Sequence, residues 1–281
     1  AYGQAIVPLQ EKLHALCSRM NVAFRAGIIT NGYFLSAEKF DFLFRDHNTN
    51  FAQVTFDGTQ SEYCARKGTT PEAYRRAVGN ILDLSEYIAR NGLKVTINLR
   101  LNVDNSNLGD IKEFVRSLKA DGRFHNNVMF SLERLRSYDF CKDTNDYCTT
   151  PEYEEILSDF EEFIGKPPKV REPKKTFCGQ HCMNVFCVGV HGELYKCEHD
   201  FGVEAHAVGS IFSGLNYNDY FRRFMDQPLP EKCATCTILP VCMGGCPHRR
   251  LELDQAIECE YTVEHLKKSV RKYIEKRRCA Q

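Results

Sequence analysis

The sequence lacks a net charge, a long apolar run and a leader-like beginning. Its 37 basic residues balance its 37 acidic residues, so the chain as a whole has no electrostatic pull towards nucleic acid or an anionic membrane. No apolar run approaches the roughly 20 residues that a membrane-spanning helix needs. The opening residues, AYGQAIVPLQEK, do not form the basic-then-apolar pattern of a signal peptide. We therefore expect a cytoplasmic protein without nucleic-acid or membrane partners.

Cysteine is scarce in the first part of the chain and abundant in the rest. Of the 14 cysteines, ten fall within residues 178–279, and the others are Cys17, Cys64, Cys141 and Cys148. In a secreted chain this density would predict disulfides, whereas in a cytosolic chain closely spaced cysteines predict a bound metal. The spacing and the missing signal pattern favour metal.

The densest stretch runs from Lys232 to His248 and reads KCATCTILPVCMGGCPH. Its cysteines follow the pattern C-x2-C-x5-C-x3-C, and they are Cys233, Cys236, Cys242 and Cys246. A gap of two residues lets a pair of thiolates reach one metal from a tight turn. Gly244 and Gly245 relax the backbone where it must wrap closely. Thiolates are soft ligands, so the stretch predicts either zinc or an iron–sulfur cluster.

The first part of the chain alternates between two hydrophobic periods. Strand patterns cover 28–34, 51–56, 94–101 and 127–132, and helix patterns cover 6–20, 37–44, 71–91, 108–118 and 152–164. Ser36, Thr70 and Asn107 are placed to cap the helices that follow them. This alternation predicts an α/β fold with βα units around a parallel sheet. The visible strands are too few for a closed barrel, so we expect a partial (β/α) barrel.

The segment Gly165–Thr176 is rich in proline and basic residues, which stiffen and solvate it. We therefore predict a barrel domain at 1–165, a linker at 166–177 and a small cysteine-rich domain at 178–281. In the latter, segments 184–190 and 193–197 form a hairpin that turns at His191-Gly192. A helix capped by Asn218 and a closing helix at 262–278 complete it.

Polar residues stand at three predicted strand ends, where ligands of parallel sheets usually lie. They belong to Thr30-Asn31-Gly32, to Thr55 with Asp57-Gly58, and to Arg100 with Asn102 and Asp104. Ordinary loop polarity explains them equally well at this point.

The order of cysteines in the second part resembles a known family. The pattern C-x9-G-x4-C, then C-x2-C-x5-C-x3-C, then a final cysteine, is similar to the SPASM extension of radical S-adenosylmethionine enzymes. It is met by Cys182, Gly192, Cys197, Cys233, Cys236, Cys242, Cys246 and Cys259. The stretches IITNGYFL, QVTFDGTQ and VTINLRLNVD resemble the third, fourth and fifth barrel strands of that superfamily. The resemblance covers residues 25–260.

The resemblance implies two auxiliary 4Fe–4S clusters. One would be held by Cys233, Cys236, Cys242 and Cys259, and the other by Cys178, Cys182, Cys197 and Cys246. Cys187 competes as fourth ligand of the second set. Zinc would suit the same thiolates and remains the alternative.

The resemblance also implies an activity. The family forms a radical from S-adenosylmethionine at a third 4Fe–4S cluster and abstracts hydrogen from a peptide or protein substrate, with electrons from a reductant such as flavodoxin or ferredoxin. The cofactor would contact Thr55, Asp57, Arg66 and Arg100. The radical-cluster motif C-x3-C-x2-C is missing from this sequence. We therefore expect a truncated radical enzyme, a maturase whose oxidoreductase activity this chain alone does not show.

Glu198 directly follows Cys197, where sulfatase maturases of the family are proposed to hold a catalytic base. If it is buried beside a cluster, it would take a proton from the substrate, and His199 and Asp200 are its rivals. The alternatives are an anaerobic sulfatase maturase, a zinc-stabilised binding module without catalysis, and a cluster-bearing electron carrier.

Overall fold

The chain is described here by a computed structural model that covers residues 2–45, 49–135, 147–167, 170–252 and 259–278. Cys141 and Cys279 lie outside these residues. The chain divides into two compact units, Ala1–Ile164 and Gly165–Gln281, which we call unit 1 and unit 2. No described helix combines the length and the apolar character needed to cross a membrane.

Unit 1 alternates helices with strands. Its elements are α1 (Tyr2–Arg19), β1 (Ala26–Thr30), α2 (Ala37–Arg45), β2 (Thr49–Phe56), α3 (Gln60–Lys67), α4 (Pro71–Arg90), β3 (Thr96–Val103), α5 (Leu108–Ala120), β4 (Val128–Arg134) and α6 (Thr150–Phe163). The described strands form one parallel sheet in the order β1-β2-β3-β4. The predicted α/β class with parallel strands is confirmed.

Strict alternation along the central strands buries one face of this sheet. In β3, Ile97, Leu99 and Leu101 are fully buried, while the residues between them stay partly exposed. The buried face belongs to a single core that also takes in Ile81 and Leu84 of α4 and the apolar side of α5. Each such side chain stabilises the fold by about 1.5–3 kcal/mol on burial. The helices therefore cover one face of the sheet.

The local signals around α4 act as predicted. The side chain of Thr70 accepts a hydrogen bond from the Ala73 backbone N–H at 3.3 Å, and Pro71 occupies the first turn, where its missing N–H is harmless. Gly92 follows the helix with a φ of 60°, the left-handed conformation that ends many helices. The sequence therefore defines both ends of this helix.

The first strand is shorter and more exposed than expected. It ends at Thr30 rather than near residue 34, because Asn31 Oδ1 accepts a hydrogen bond from the Tyr33 N–H at 3.1 Å and closes a turn. Gly32 in that turn has a φ of 80°. Ile29 is 72% exposed and only Ile28 of the five strand residues is buried, so the prediction of a buried strand is wrong.

Asn107 was expected to cap α5, yet its side chain makes no capping hydrogen bond. Instead its Nδ2 donates to Asp57 O at 2.9 Å and to Asn102 O at 3.0 Å, and its Oδ1 accepts from Asp104 N at 3.1 Å. Asn107 is fully buried. It therefore ties together the loops that follow β2 and β3.

We expect Asn107→Ala to lower the free energy of unfolding by roughly 2–3 kcal/mol, since it leaves buried backbone groups without partners. Chemical denaturation measures this. Asn126→Ala is the matched control, because Asn126 is exposed in the turn before β4 and its loss should cost less than about 0.5 kcal/mol. Equal effects of the two substitutions would contradict the assigned role of Asn107.

Unit 2 has little regular structure. Its elements are β5 (Cys187–Val188), β6 (Leu194–Tyr195), β7 (Gly209–Ser210), β8 (Gly214–Leu215), α7 (Asp219–Met225), α8 (Leu239–Cys242), α9 (Pro247–Glu252) and α10 (Val263–Arg278). The strands form two antiparallel pairs. The predicted hairpin is present, but shorter than expected. Asn218 caps α7 as predicted, accepting from Phe221 N at 2.9 Å.

The apolar core of unit 2 is small. Its buried residues, among those described, are Cys197, Val208, Tyr220, Phe221 and Phe224. The long helix α10 contributes no buried residue. Residues 170–177 of the predicted linker form neither helix nor strand, and Lys174 N donates to Pro240 O at 2.8 Å. A unit with so little buried apolar surface usually needs further crosslinks or a bound group.

Candidate metal centre

The hairpin of β5 and β6 positions two of the predicted ligands. Cys187 pairs with Tyr195 across the hairpin, and Gly189 N donates to Glu193 O at 2.8 Å to close the turn. Gly192 has a φ of 90° in that turn. Cys197 follows β6 directly and is buried. The turn therefore places Cys197 close to the segment that holds Cys187.

The Cys233–Cys246 stretch folds as a series of tight turns. Cys236 N donates to Cys233 O at 3.2 Å, and Gly245 N donates to Cys242 O at 3.1 Å. Met243, Gly244 and Gly245 all have positive φ, of 53°, 78° and 80°. This left-handed run is easy for glycine and uncommon for methionine. The Gly245–Cys242 hydrogen bond closes a turn between Cys242 and Cys246.

The thiols of unit 2 influence one another in two sets. Burial, and then the neighbouring thiols of Cys236 and Cys259, raise the pKa of Cys233. Burial also raises the pKa of Cys246, with a contribution from Cys178, and that of Cys197, with a contribution from Cys246. The structure thus brings Cys233 together with Cys236 and Cys259, and Cys246 together with Cys178 and Cys197.

We call the two predicted ligand sets the first and the second thiol group. The first thiol group is Cys178, Cys182, Cys197 and Cys246, with Cys187 beside it. The second thiol group is Cys233, Cys236, Cys242 and Cys259. All of them are free thiols, and no disulfide joins cysteines in the described part of the chain.

Arg250 lies against the second thiol group. Burial lowers the pKa of its guanidinium, whereas negative charge on Cys233, Cys246 and Cys242 raises it. Its Nε and Nη1 are buried and donate a hydrogen bond to no acceptor among the described residues. Buried donors without partners normally indicate a group that is yet to bind. Sequence reasoning missed Arg250, although its place four residues after Cys246 is a usable signal.

These observations bear on what the thiols can hold. Within the described ranges, no three His, Cys, Asp or Glu side chains are arranged to bind one metal ion. Such an ion needs its ligands at about 2.0–2.3 Å. In a 4Fe–4S cluster each thiolate binds a different iron atom, so the sulfurs stand further apart. Four thiols in each group are a donor set that suits either a 4Fe–4S cluster or a zinc ion.

The carboxylates near Cys197 differ sharply in burial. Glu198 is exposed, with its Oε2 at 3.8 Å from Cys197 Sγ, so the burial that would raise its pKa is not present. Asp200 is fully buried and its Oδ1 accepts from Tyr220 Oη at 2.8 Å, with His206 Nδ1 at 3.0 Å. His248 Nε2 lies 3.8 Å from the same oxygen. Asp200 is therefore the enclosed carboxylate of this region.

Unit 1 offers a separate candidate site, the face of its sheet that the helices leave open. Asn98 in β3 donates to Gln53 Oε1 at 3.1 Å and to Ser131 Oγ at 3.0 Å, which makes a polar row across three strands. Thr55 and Arg100 lie side by side on this face, paired across β2 and β3. Parallel sheets are normally buried on both faces. A polar, partly exposed face on such a sheet is therefore suited to a polar ligand.

The other two residues predicted to bind a cofactor are held in ion pairs. Arg66 Nη1 lies 2.6 Å from Asp104 Oδ2, and Arg66 also bonds to Glu62 and, at 3.1 Å, to Ser106. Asp57 Oδ2 lies 3.1 Å from Lys67 Nζ. The basic member of each pair, Arg66 or Lys67, comes from α3, a helix that the sequence pattern did not predict. These pairs brace the loops beside the open face.

No protein-family model matches this chain. Its function must therefore be argued from the thiol groups and the open sheet face.

The raised thiol pKa values predict a pH dependence. An unfolded cysteine has a pKa of about 8.5, and burial raises the pKa of Cys197, Cys242 and Cys246 in the iron-free fold. Above that pH the folded chain holds more protons than the unfolded chain, so stability falls as the pH rises. We expect the urea midpoint of the iron-free chain to drop between pH 7.5 and 9.5, values chosen to lie about one unit either side of that pKa.

The chain reconstituted with iron and sulfide is the control, because bound thiolates no longer exchange protons with solvent. Thiols that unfolding releases from the iron take up protons, so the midpoint of this control should rise over the same interval. A midpoint of the iron-free chain that rises with pH would contradict this account of the thiols.

Proposed function

We propose that this chain is the cofactor-face and auxiliary-cluster portion of a radical S-adenosylmethionine maturase that modifies a peptide or protein. The observation that carries the proposal is that Cys233 neighbours Cys236 and Cys259, while Cys246 neighbours Cys178 and Cys197. These neighbours agree with three of the four ligands in each set expected from the SPASM pattern. The radical-cluster motif C-x3-C-x2-C is not in this sequence. Radical formation is therefore assigned to the complete enzyme and not to this chain alone.

The thiol groups would hold two auxiliary 4Fe–4S clusters. Such clusters, when bound, take up and pass on single electrons. The first thiol group offers Cys178, Cys182, Cys197 and Cys246 for this, and the second offers Cys233, Cys236, Cys242 and Cys259. The small apolar core of unit 2 supports this role, since cluster binding would supply stability that the core does not.

The open face of unit 1 would bind S-adenosylmethionine. The guanidinium of Arg100 is suited to pair with the cofactor's carboxylate through two parallel N–H bonds. Its Nε makes a long bond of 3.3 Å to Asn102 Oδ1, which a ligand carboxylate can replace. Thr55 beside it offers a hydroxyl as donor and acceptor. The Asn98 row keeps the neighbouring part of the face polar.

A carboxylate beside the first thiol group would receive the proton that the substrate loses. Glu198 is the position implied by the family resemblance, and its exposure lets a peptide reach it. Asp200 is enclosed and is already hydrogen-bonded by Tyr220 and His206. We therefore propose Glu198 as the group that meets substrate and Asp200 as the group that fixes the turn beneath it.

The cluster proposal is tested by metal analysis of anaerobically purified chain. We expect about eight iron and about eight sulfide per chain, as two 4Fe–4S clusters require. The double substitution Cys233→Ser and Cys236→Ser should remove about half of the iron, and Cys197→Ser should remove the other half. Cys17→Ser in α1 is the control and should keep all of it.

Stoichiometric zinc without iron would instead make the chain a zinc-stabilised module and would contradict the proposal. Complete loss of iron in either set of variants would contradict the division into two independent groups.

The two arginines of unit 1 should behave in opposite ways. Arg66→Ala leaves the buried Asp104 without its ion partner and should lower the free energy of unfolding by on the order of 3 kcal/mol. Arg100→Ala should leave stability within about 0.5 kcal/mol and weaken binding of S-adenosylmethionine by roughly tenfold or more. Calorimetric titration measures the affinity.

Arg90→Ala is the control for this pair, since Arg90 is exposed at the end of α4. It should change neither quantity. Unchanged cofactor affinity in Arg100→Ala would remove the open face from the proposal.

A further inference from the structure

Lys196 is a lysine in an unusual place. Its side chain is fully buried. In the chain, Lys196 lies between the end of β6 and Cys197. Lysine is almost never fully buried unless an opposite charge compensates it. In the described part of the chain, no carboxylate lies within ion-pair distance of Lys196 Nζ. Its burial therefore needs another explanation.

The ammonium group of Lys196 is held by the loop that carries the first thiol group. Nζ donates to Cys182 O at 2.8 Å and to Val185 O at 2.7 Å. The ring of Phe186 lies 4.6 Å from Nζ and that of Phe221 lies 5.7 Å from it. Two of the three N–H donors of the ammonium thus have acceptors, and the aromatic faces add a favourable contact with the cation. These contacts fix the position of the charge but do not neutralise it.

The groups that can neutralise this charge are thiols. Lys196 Nζ bonds to the carbonyl of Cys182, and Lys196 directly precedes Cys197, so two ligands of the first thiol group lie beside it. Neutral thiols would leave the ammonium buried without a counter-charge, which is unfavourable. Thiolates bound in a cluster would supply that counter-charge, so the burial of a charged Lys196 is most favourable when the first thiol group is ionised.

We propose that Lys196 is a positioning residue whose charge balances the thiolates of the first thiol group and makes the cluster held there easier to reduce. This inference rests on the proposed function. Reduction adds one electron from an external reductant, and no bond to the protein forms or breaks. A fixed positive charge in a poorly screened interior favours the more negative, reduced state. The second thiol group lacks this lysine, so the effect should be confined to one cluster.

The test is a redox titration with dithionite on the reconstituted chain, followed by electron paramagnetic resonance. In Lys196→Met the first cluster should have a more negative midpoint potential than in the unsubstituted chain, while the second keeps its own. The same shift should appear in the Cys233→Ser and Cys236→Ser background, which retains only the first cluster. Lys232→Met is the matched control for the first cluster, since Lys232 is exposed and directly precedes Cys233 of the second thiol group. It should leave the potential of the first cluster unchanged.

Two further variants separate charge from shape. Lys196→Gln keeps a hydrogen-bond donor without the charge and should shift the potential in the same direction as Lys196→Met. Lys196→Arg keeps the charge and should return the potential towards the original value. If the neutral variants lose iron from the first group alone, restoration of that iron by Lys196→Arg would support the proposal. Failure of Lys196→Arg to restore it would overturn the proposal, since shape would then be what the site requires.

The two proposals fail in different ways. An unsubstituted chain without iron overturns both. Two clusters whose potentials are the same in the unsubstituted chain and in Lys196→Met overturn the role of Lys196 alone.

Discussion

The structure of unit 2 depends on gathering many thiols around a very small apolar core. Five buried hydrophobic residues, among those described, form that core, and α10 adds none. Free thiols cannot crosslink the chain by themselves, and a buried thiolate is costly in the absence of a cation. The turns through Met243 to Gly245 and the β5–β6 hairpin reverse the chain beside several of these cysteines. A bound inorganic group is the simplest source of the missing stability, because its binding energy becomes folding energy.

The basic residues of unit 2 follow the same logic. Arg250 and Lys196 lie next to thiols that would carry negative charge once they bind iron. Each basic group is costly to bury alone, and each is favourable beside thiolates. In unit 1 the opposite arrangement holds, since Arg66 and Lys67 are matched by Asp104 and Asp57. These loop cations of unit 1 are matched by carboxylates, and we propose that Arg100 on the open sheet face pairs with a ligand instead.

Much of the fold could be predicted from local signals. Alternation in β3, the Thr70-Pro71 start of α4 and the Asn218 cap of α7 each depend on neighbouring residues only, and each is confirmed. Features set by distant contacts were missed. Asn107 looks like a helix cap, but it bonds to the loops after β2 and β3. Glu198 and Asp200 look equivalent in sequence, and only the packing of Tyr220 and His206 buries one of them. Burial of a lysine such as Lys196 is equally invisible to hydrophobic periodicity.

The central claim is that the two thiol groups each hold a cluster of several iron atoms. Diffraction from anaerobically grown crystals, recorded on both sides of the iron absorption edge, tests it most directly. The account predicts two compact iron peaks, one bounded by Cys178, Cys182, Cys197 and Cys246 and the other by Cys233, Cys236, Cys242 and Cys259. Single-atom peaks that appear at the zinc edge and not at the iron edge would contradict it.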